Sequence, residues 1–401
     1  MHEHTCDISP DRLASAPRGA LRIAEVKAFP ISVPLPEHAQ VTLGVGRTIK
    51  RDAVVTRIRT EDGLTGWGEA HHGRAHTAIA AMINDALAQN IQGLDASDVV
   101  GLNARMARAL QLTQGSSGAA ALAISGVDMA LWDVRARAVG LPLCRMLGGA
   151  PKAVPAYAGG VALGWDDPAA LVQEAEVLVA KGYRAIKQRI GDTVERDLAR
   201  LEALRAAFGD KVEILADANS LYTPWDVRRI LPRLAELDIR WLEEPFMPQE
   251  TRRYQDAAAY ARVPLAAGEN LFTRQDFVAL IAAGAVTEIQ PDFSKVGGIT
   301  EGLRISALAL AHGLDVHPHA SMTALNAAAT LHILCAIEGG GYLEADVSKL
   351  NPLRDDLACG QSQISSDGTF VPSEKPGLGI EVDEDFIRDH PPILGSAYCR
   401  A

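Results

Sequence analysis

The chain has 401 residues, 48% of them hydrophobic, and a formal net charge of −11. That length exceeds one compact core and points to two domains, while the apolar fraction excludes disordered and fibrous classes. The acidic balance disfavours nucleic acid and anionic membranes as partners, and no apolar run approaches the roughly 18 residues that span a bilayer.

Residues 1–20 are polar and lack the apolar core of a signal peptide, so they are expected to be a flexible extension. His2, His4 and Cys6 do not make a complete metal-ligand set there. The five cysteines, Cys6, Cys144, Cys335, Cys359 and Cys399, are scattered. An odd number without paired spacing predicts reduced thiols and a cytoplasmic location.

From Ile23 to Ala70 the chain reads as strands. Ala53 to Thr60 is rich in β-branched residues, Glu61-Asp62-Gly63 is a turn, and Leu64 to Ala70 returns as the second arm of a hairpin. Helical periodicity follows over Thr77–Gln89 and Ala119–Val139, the second stopping at Gly140-Leu141-Pro142. Residues 21–150 are thus expected to form an α+β domain.

From Val154 short apolar strands alternate with helices. The predicted strands are Val154–Gly159, Ala185–Ile190, Glu213–Ala218, Arg240–Glu244, Leu265–Gly268, Glu288–Asp292, Asp315–His319 and Gly341–Glu344. From the second onward they start about 23 to 28 residues apart, the rhythm of a parallel α/β barrel of the TIM type over residues 151–355. The Pro-, Gly- and Asp-rich segment 356–401 is expected to pack back on the first domain.

Barrel chemistry sits where strands end. Asp217, Glu243 and Glu269 fall at three successive strand ends, each 26 residues after the last. Three converging anions repel unless a cation neutralises them, and an all-oxygen set with room for water suits Mg²⁺. Glu243 and Glu244 point to opposite faces of a strand, and register favours Glu243 as the ligand. The next two ends carry Asp292 and His319. A carboxylate beside an imidazole fixes its tautomer and makes His319 a general base or acid. His317, two residues earlier, is a rival on the same face. Alternation puts Lys187 and Arg189 on one face of the second strand, where two inward cations imply an anion to bind. Glu344 ends the last strand and can hydrogen-bond a substrate oxygen.

These residues resemble the enolase superfamily, and within it the mandelate racemase subgroup. The resemblance runs from about Ile23 onward and includes Ile124-Ser-Gly-Val-Asp128-Met-Ala-Leu-Trp132-Asp133 and Leu147-Gly148-Gly149. It implies a modified (β/α)₇β barrel under an N-terminal α+β capping domain completed by the C-terminal segment. It implies Mg²⁺ on Asp217, Glu243 and Glu269, an Asp292–His319 dyad, and Glu344 at the substrate carboxylate. It implies abstraction of the proton α to a carboxylate, giving an enediolate. The family is often octameric, so a homo-oligomer is expected.

One departure bears on the reaction. The subgroup usually has Lys-X-Lys on the second strand, but here the second lysine is Arg189. With a pKa above 12, arginine is disfavoured as a neutral base at pH 7 by roughly 10⁵-fold, about 7 kcal/mol. Arg189 is therefore expected to bind substrate oxygen or to depress the pKa of Lys187. Racemisation needs acid/base groups on both faces, whereas His319 alone can serve a dehydration. The expected reaction is dehydration of a hydroxy or sugar acid to a 2-keto-3-deoxy acid. A racemase, epimerase or lactone cycloisomerase is the alternative, and an inactive ligand-binding barrel lies outside enzymes. Capping loops at His38–Arg47 and His71–His76 are expected over the site, with His72 and Arg74 at the substrate.

Overall fold

The computed structural model describes residues 21–115 and 117–400. The His2, His4 and Cys6 expectation lies outside them. The first domain is built on an antiparallel sheet of Ile23–Pro34, Lys50–Thr60 and Thr65–Ala70, with Lys50–Thr60 central. Both neighbours shield that strand, and nearly every residue in it is buried. Helix Ala119–Ala138 lies across the sheet. Its small residues permit close approach: a Cβ on Gly68 would lie 2.3 Å from the Gly126 carbonyl oxygen. The helix expected over Thr77–Gln89 is a helix at His76–Ala81, a wider π turn at Met82–Leu87 and a short helix at Ala88–Ile91. A further helix, Val99–Gln114, starts at Asp98, whose side chain accepts the Gly101 N–H and caps it.

The second domain is a parallel barrel. Its eight strands are Val154–Gly159, Ala185–Arg189, Glu213–Asp217, Ile239–Glu243, Leu265–Ala267, Glu288–Ile289, Asp315–Val316 and Leu343–Asp346. They pair in sequence order from first to seventh, the eighth adds beside the first, and a Val316–Gly340 bridge joins seventh to eighth. Among the described residues, seven helices alternate with them, from Pro168–Ala180 to Ala324–Ala336. The sixth and seventh strands stop before Pro291 and Pro318, which carry no N–H to continue a ladder. They are therefore shorter than the sequence pattern predicts.

The C-terminal segment touches both domains. Thr369–Phe370 pairs with the first barrel strand, Glu384 meets Arg57 and Arg59, and the His390 carbonyl accepts from Ser32 N. Tyr398–Cys399 adds a third strand to a ribbon formed by Thr42–Leu43 and Gly46–Thr48, within the first predicted capping loop. Among the described residues no helix is long and apolar enough to cross a membrane.

Candidate active site

Register places the charged side chains. Arg189, Asp217 and Glu243 are partners across three adjacent parallel strands, so their alternate side chains share one level of the barrel. Glu269 follows on the turn after the fifth strand. One oxygen of each of Asp217, Glu243 and Glu269 lies within 4.8 Å of the others, and all three residues are buried. Glu244 points away and accepts from Asn270 Nδ2 at 2.7 Å and Ser220 Oγ at 3.2 Å.

Cations interleave with these anions. Lys187 Nζ lies 2.8 Å from Glu243 Oε1, 3.0 Å from Glu344 Oε1 and 3.5 Å from Asp217 Oδ2. Arg189 donates to Asp217 Oδ2 and to the Gly160 carbonyl. Burial works against the Lys187 charge, as does Arg189, but Glu243 and Glu344 outweigh both and raise its pKa. The expected depression of Lys187 by Arg189 is therefore reversed by the carboxylates. Arg189 itself is bound to a triad carboxylate.

The donor set fits a hard divalent cation. It is all oxygen, and the buried Glu269 Oε2 has no hydrogen bond. Burial and Asp217 push the Glu243 carboxyl up to about 7 although Lys187 opposes them, so the crowded anions are not fully balanced by the cations beside them.

Asp292 and His319 meet above this level. Asp292 Oδ2 lies 2.7 Å from His319 Nδ1, while Asp292 Oδ1 accepts from Ser294 N, Ser294 Oγ and Asn326 Nδ2. Fully engaged, Asp292 fixes the ring so that Nε2 faces the triad, 3.1 Å from Glu269 Oε2 and 3.9 Å from Glu344 Oε2. Burial lowers the His319 pKa, but Glu269 and Glu344 outweigh it and hold it near 9. His317 is not a rival for this role. It shares the inward face of its strand with His319 but sits one level deeper, 2.9 Å from Glu288 Oε2 and with its ring centroid 4.9 Å from that of Trp241.

Two family models cover the chain. Residues 25–148 match the mandelate racemase / muconate lactonizing enzyme N-terminal domain, and residues 170–386 match the enolase C-terminal domain-like model. The chain belongs to the mandelate racemase subgroup of the enolase superfamily. It is 31% identical to a 3,6-anhydro-alpha-L-galactonate cycloisomerase of Streptomyces coelicolor, over 90% of this chain and 97% of that protein. It is 30% identical to a D-galactonate dehydratase of Xanthomonas oryzae, over 84% and 91% respectively. A crystal structure of an enolase-superfamily member from a Polaromonas species superposes with a TM-score of 0.91 at 47% identity, covering 94% of this chain and all of that one. A Streptomyces coelicolor racemase, 29% identical with a TM-score of 0.83 over 92% of this chain and 99% of that one, was crystallised with bound magnesium.

The superfamily's two-domain design explains residues that sequence reasoning left unassigned. Asp128, in the capping-domain hallmark, is buried in the barrel interface. Its Oδ2 accepts the Thr300 N–H at 2.9 Å and its Oδ1 accepts from Asn103 at 2.8 Å. It thereby caps helix Gly298–Ala311, which has no side-chain cap of its own. Gly298 makes room for it, since a Cβ there would lie 2.4 Å from Asp128 Cβ. Glu69, at the end of the capping sheet, accepts from Thr323 Oγ1 and Asn326 N, and Asn326 in turn holds Asp292. Gln290 and Trp241 both donate to Glu243 Oε2. Asp128 stood in the family hallmark without a role, and the others had no sequence signal beyond an inward position on a strand or helix. Of the capping-loop expectations, His72 is buried, whereas Arg74 is exposed with its guanidinium 5.2 Å from the Tyr398 ring centroid.

Proposed function

We propose that the protein dehydrates a hydroxy or sugar acid to a 2-keto-3-deoxy acid, with Mg²⁺ as cofactor and a small carboxylate as substrate. The observation carrying this reading is the one-sided acid/base apparatus. His319 has an oriented ring with Nε2 facing the triad, while Lys187 and Arg189 on the second strand are tied to carboxylates.

Asp217, Glu243 and Glu269 would hold the cation, which supplies positive charge where the substrate carboxylate gains electron density. Lys187, held 3.0 Å from Glu344 Oε1, would donate to that carboxylate's oxygens, and Glu344 would join it there only when it carries a proton to donate. With a cation on the triad offsetting the Glu269 charge that raises its pKa, neutral His319 Nε2 would take the α-proton, and Asp292 would stabilise the imidazolium that results. The same imidazolium then protonates the β-hydroxyl, which leaves as water as the α,β double bond forms. The enol left at the α-carbon tautomerises to the ketone. The dehydratase relative supports this course.

The test is a panel of hydroxy acids in D₂O with Mg²⁺. Formation of a 2-keto-3-deoxy acid is the expected result. Deuterium entering the α-position with inversion and without water loss would replace the reading with a racemase. A cycloisomerase is the second reading, favoured by the Streptomyces relative, and anhydro-sugar acids in the panel distinguish it. No exchange with any acid would mark a ligand-binding barrel.

A further inference from the structure

Lys295 belongs to the same turn as Asp292, whose carbonyl accepts the Lys295 N–H at 2.8 Å. The side chain is only 5% exposed. Yet among the described residues its ammonium has no ion pair within 4 Å and no hydrogen bond. A lysine with so little exposed surface and no counter-charge in contact is uncommon, because such groups are normally paired.

Lys295 sits between the dyad and the capping domain. Its charge acts on Glu269, Asp292 and His319 on one side. On the other it acts on His71 and His72. The two parts are joined directly, because His71 N donates to the carbonyl of Ser294, the residue before Lys295.

The histidines present donors of one kind. His71 Nδ1 accepts the Gly73 N–H at 3.1 Å, and His72 Nδ1 accepts the Arg74 N–H at 3.0 Å. A ring nitrogen that accepts cannot carry the proton, so each neutral ring holds it on Nε2. The rings stack with centroids 4.3 Å apart. Neither Nε2 has a protein acceptor among the described residues. Asp52, the acid whose charge acts on His72, is already engaged by Lys50 Nζ at 2.9 Å and by Ser32 Oγ at 2.6 Å.

From Lys295, His71 and His72 we infer a distal oxyanion subsite, so that the substrate carries a second anionic group, a carboxylate or phosphate ester, at the end remote from the reacting carboxylate. This inference rests on the proposed proton abstraction and narrows its substrate class. A hydroxyl would accept hydrogen bonds from these donors but bring no charge to the ammonium, whose neighbouring carboxylates Asp292 and Glu269 are already paired with His319. An anion satisfies both. The reacting carboxylate has Glu344, Lys187 and the cation site, and does not need Lys295.

The test compares three hydroxy acids of equal chain length and matched stereochemistry: a diacid, a monoacid ending in CH₂OH, and that monoacid phosphorylated at its end. kcat/KM is measured for the wild type, Lys295→Met and Lys295→Arg. A charge-assisted hydrogen bond is worth about 10- to 100-fold. The wild type should prefer one of the dianions over the neutral-ended acid by at least that factor, and which dianion wins identifies the group. Lys295→Met should erase the preference, and Lys295→Arg should restore part of it. A wild type that favours the neutral-ended acid, or a preference untouched in Lys295→Met, overturns the subsite. α-Proton exchange measured in parallel separates the failures: exchange without a dianion preference sinks only this inference, whereas absence of exchange sinks the proposed reaction.

Discussion

Asp128→Asn tests how the two domains are locked together. Burial pushes the Asp128 carboxyl up to about 7, from 3.8 when exposed, and the Thr300 and Asn103 hydrogen bonds only partly oppose it. The helix N-terminus it caps favours the anion by about 0.3–2 kcal/mol. Complete ionisation costs about 3.2 pKa units, or about 4 kcal/mol, so burial wins. The folded state binds this proton more tightly than the unfolded chain does. Its contribution to stability is complete below pH 4 and is lost as pH rises toward 7. Between pH 5 and pH 8 most of it disappears, on the order of 2–3 kcal/mol. Asparagine keeps an oxygen for Thr300 N but titrates nowhere, and its amide opposes the Asn103 amide. The variant should therefore be less stable than wild type at pH 5 and regain on the order of 2–3 kcal/mol relative to it by pH 8. Urea unfolding of both proteins at each pH measures the difference, in which all other titrating groups cancel. Parallel stability curves would refute the argument, because they would mean that the carboxylate stays ionised in its buried place.

His319→Asn should lower α-proton exchange by 10²–10⁴-fold while far-ultraviolet dichroism stays unchanged, since the amide preserves the shape of the site. Exchange within tenfold of wild type would remove His319 from the reaction. Chelator treatment should abolish turnover and Mg²⁺ restore it. Mg²⁺ at 100 times its Kd should also stabilise the fold by about 2.7 kcal/mol in thermal melts, a gain that Glu269→Gln loses. An equal Mg²⁺ effect in that variant would place the ion elsewhere. Gly298→Ala puts a Cβ at φ +89° and 2.4 Å from Asp128. It should cost several kcal/mol by overpacking and strain, read as a lowered melting temperature. A neutral outcome would show that the Asp128 contact is loose.

The barrel and its carboxylates were legible because parallel strands impose a period. Val154–Gly159 lies where the sequence puts it, and Asp217 and Glu243 share a level because equal spacing in such a repeat means equal height. Asp292 and His319 were found as strand ends, although their ladders stop at Ile289 and Val316. The two prolines that cut the ladders leave the chain direction unchanged, so the side chains still reach the site. Lys295 and Glu69 were not legible, because what singles them out is a missing partner and a cross-domain contact. Neither property has a local pattern. The capping loop His71–His76 is polar throughout, and polarity alone does not say that His72 is buried while Arg74 is exposed beside Tyr398.

That division has a chemical cause. The groups for proton abstraction and cation binding come from the barrel, where strand register holds them to a common level. In the proposed subsite the histidines come from a loop of the other domain, which Glu69, His71 and Asp128 tie to the barrel. Both domains converge on the segment from Asp292 to Thr300: Asp292 holds His319, Ser294 receives the capping loop next to Lys295, and Thr300 is capped by Asp128. A shift of the capping domain therefore moves the base and the distal donors together. Substrate length is then set by the docking of the domains, and changes to Asp128 or Gly298 should alter which acid is accepted as well as how stable the fold is.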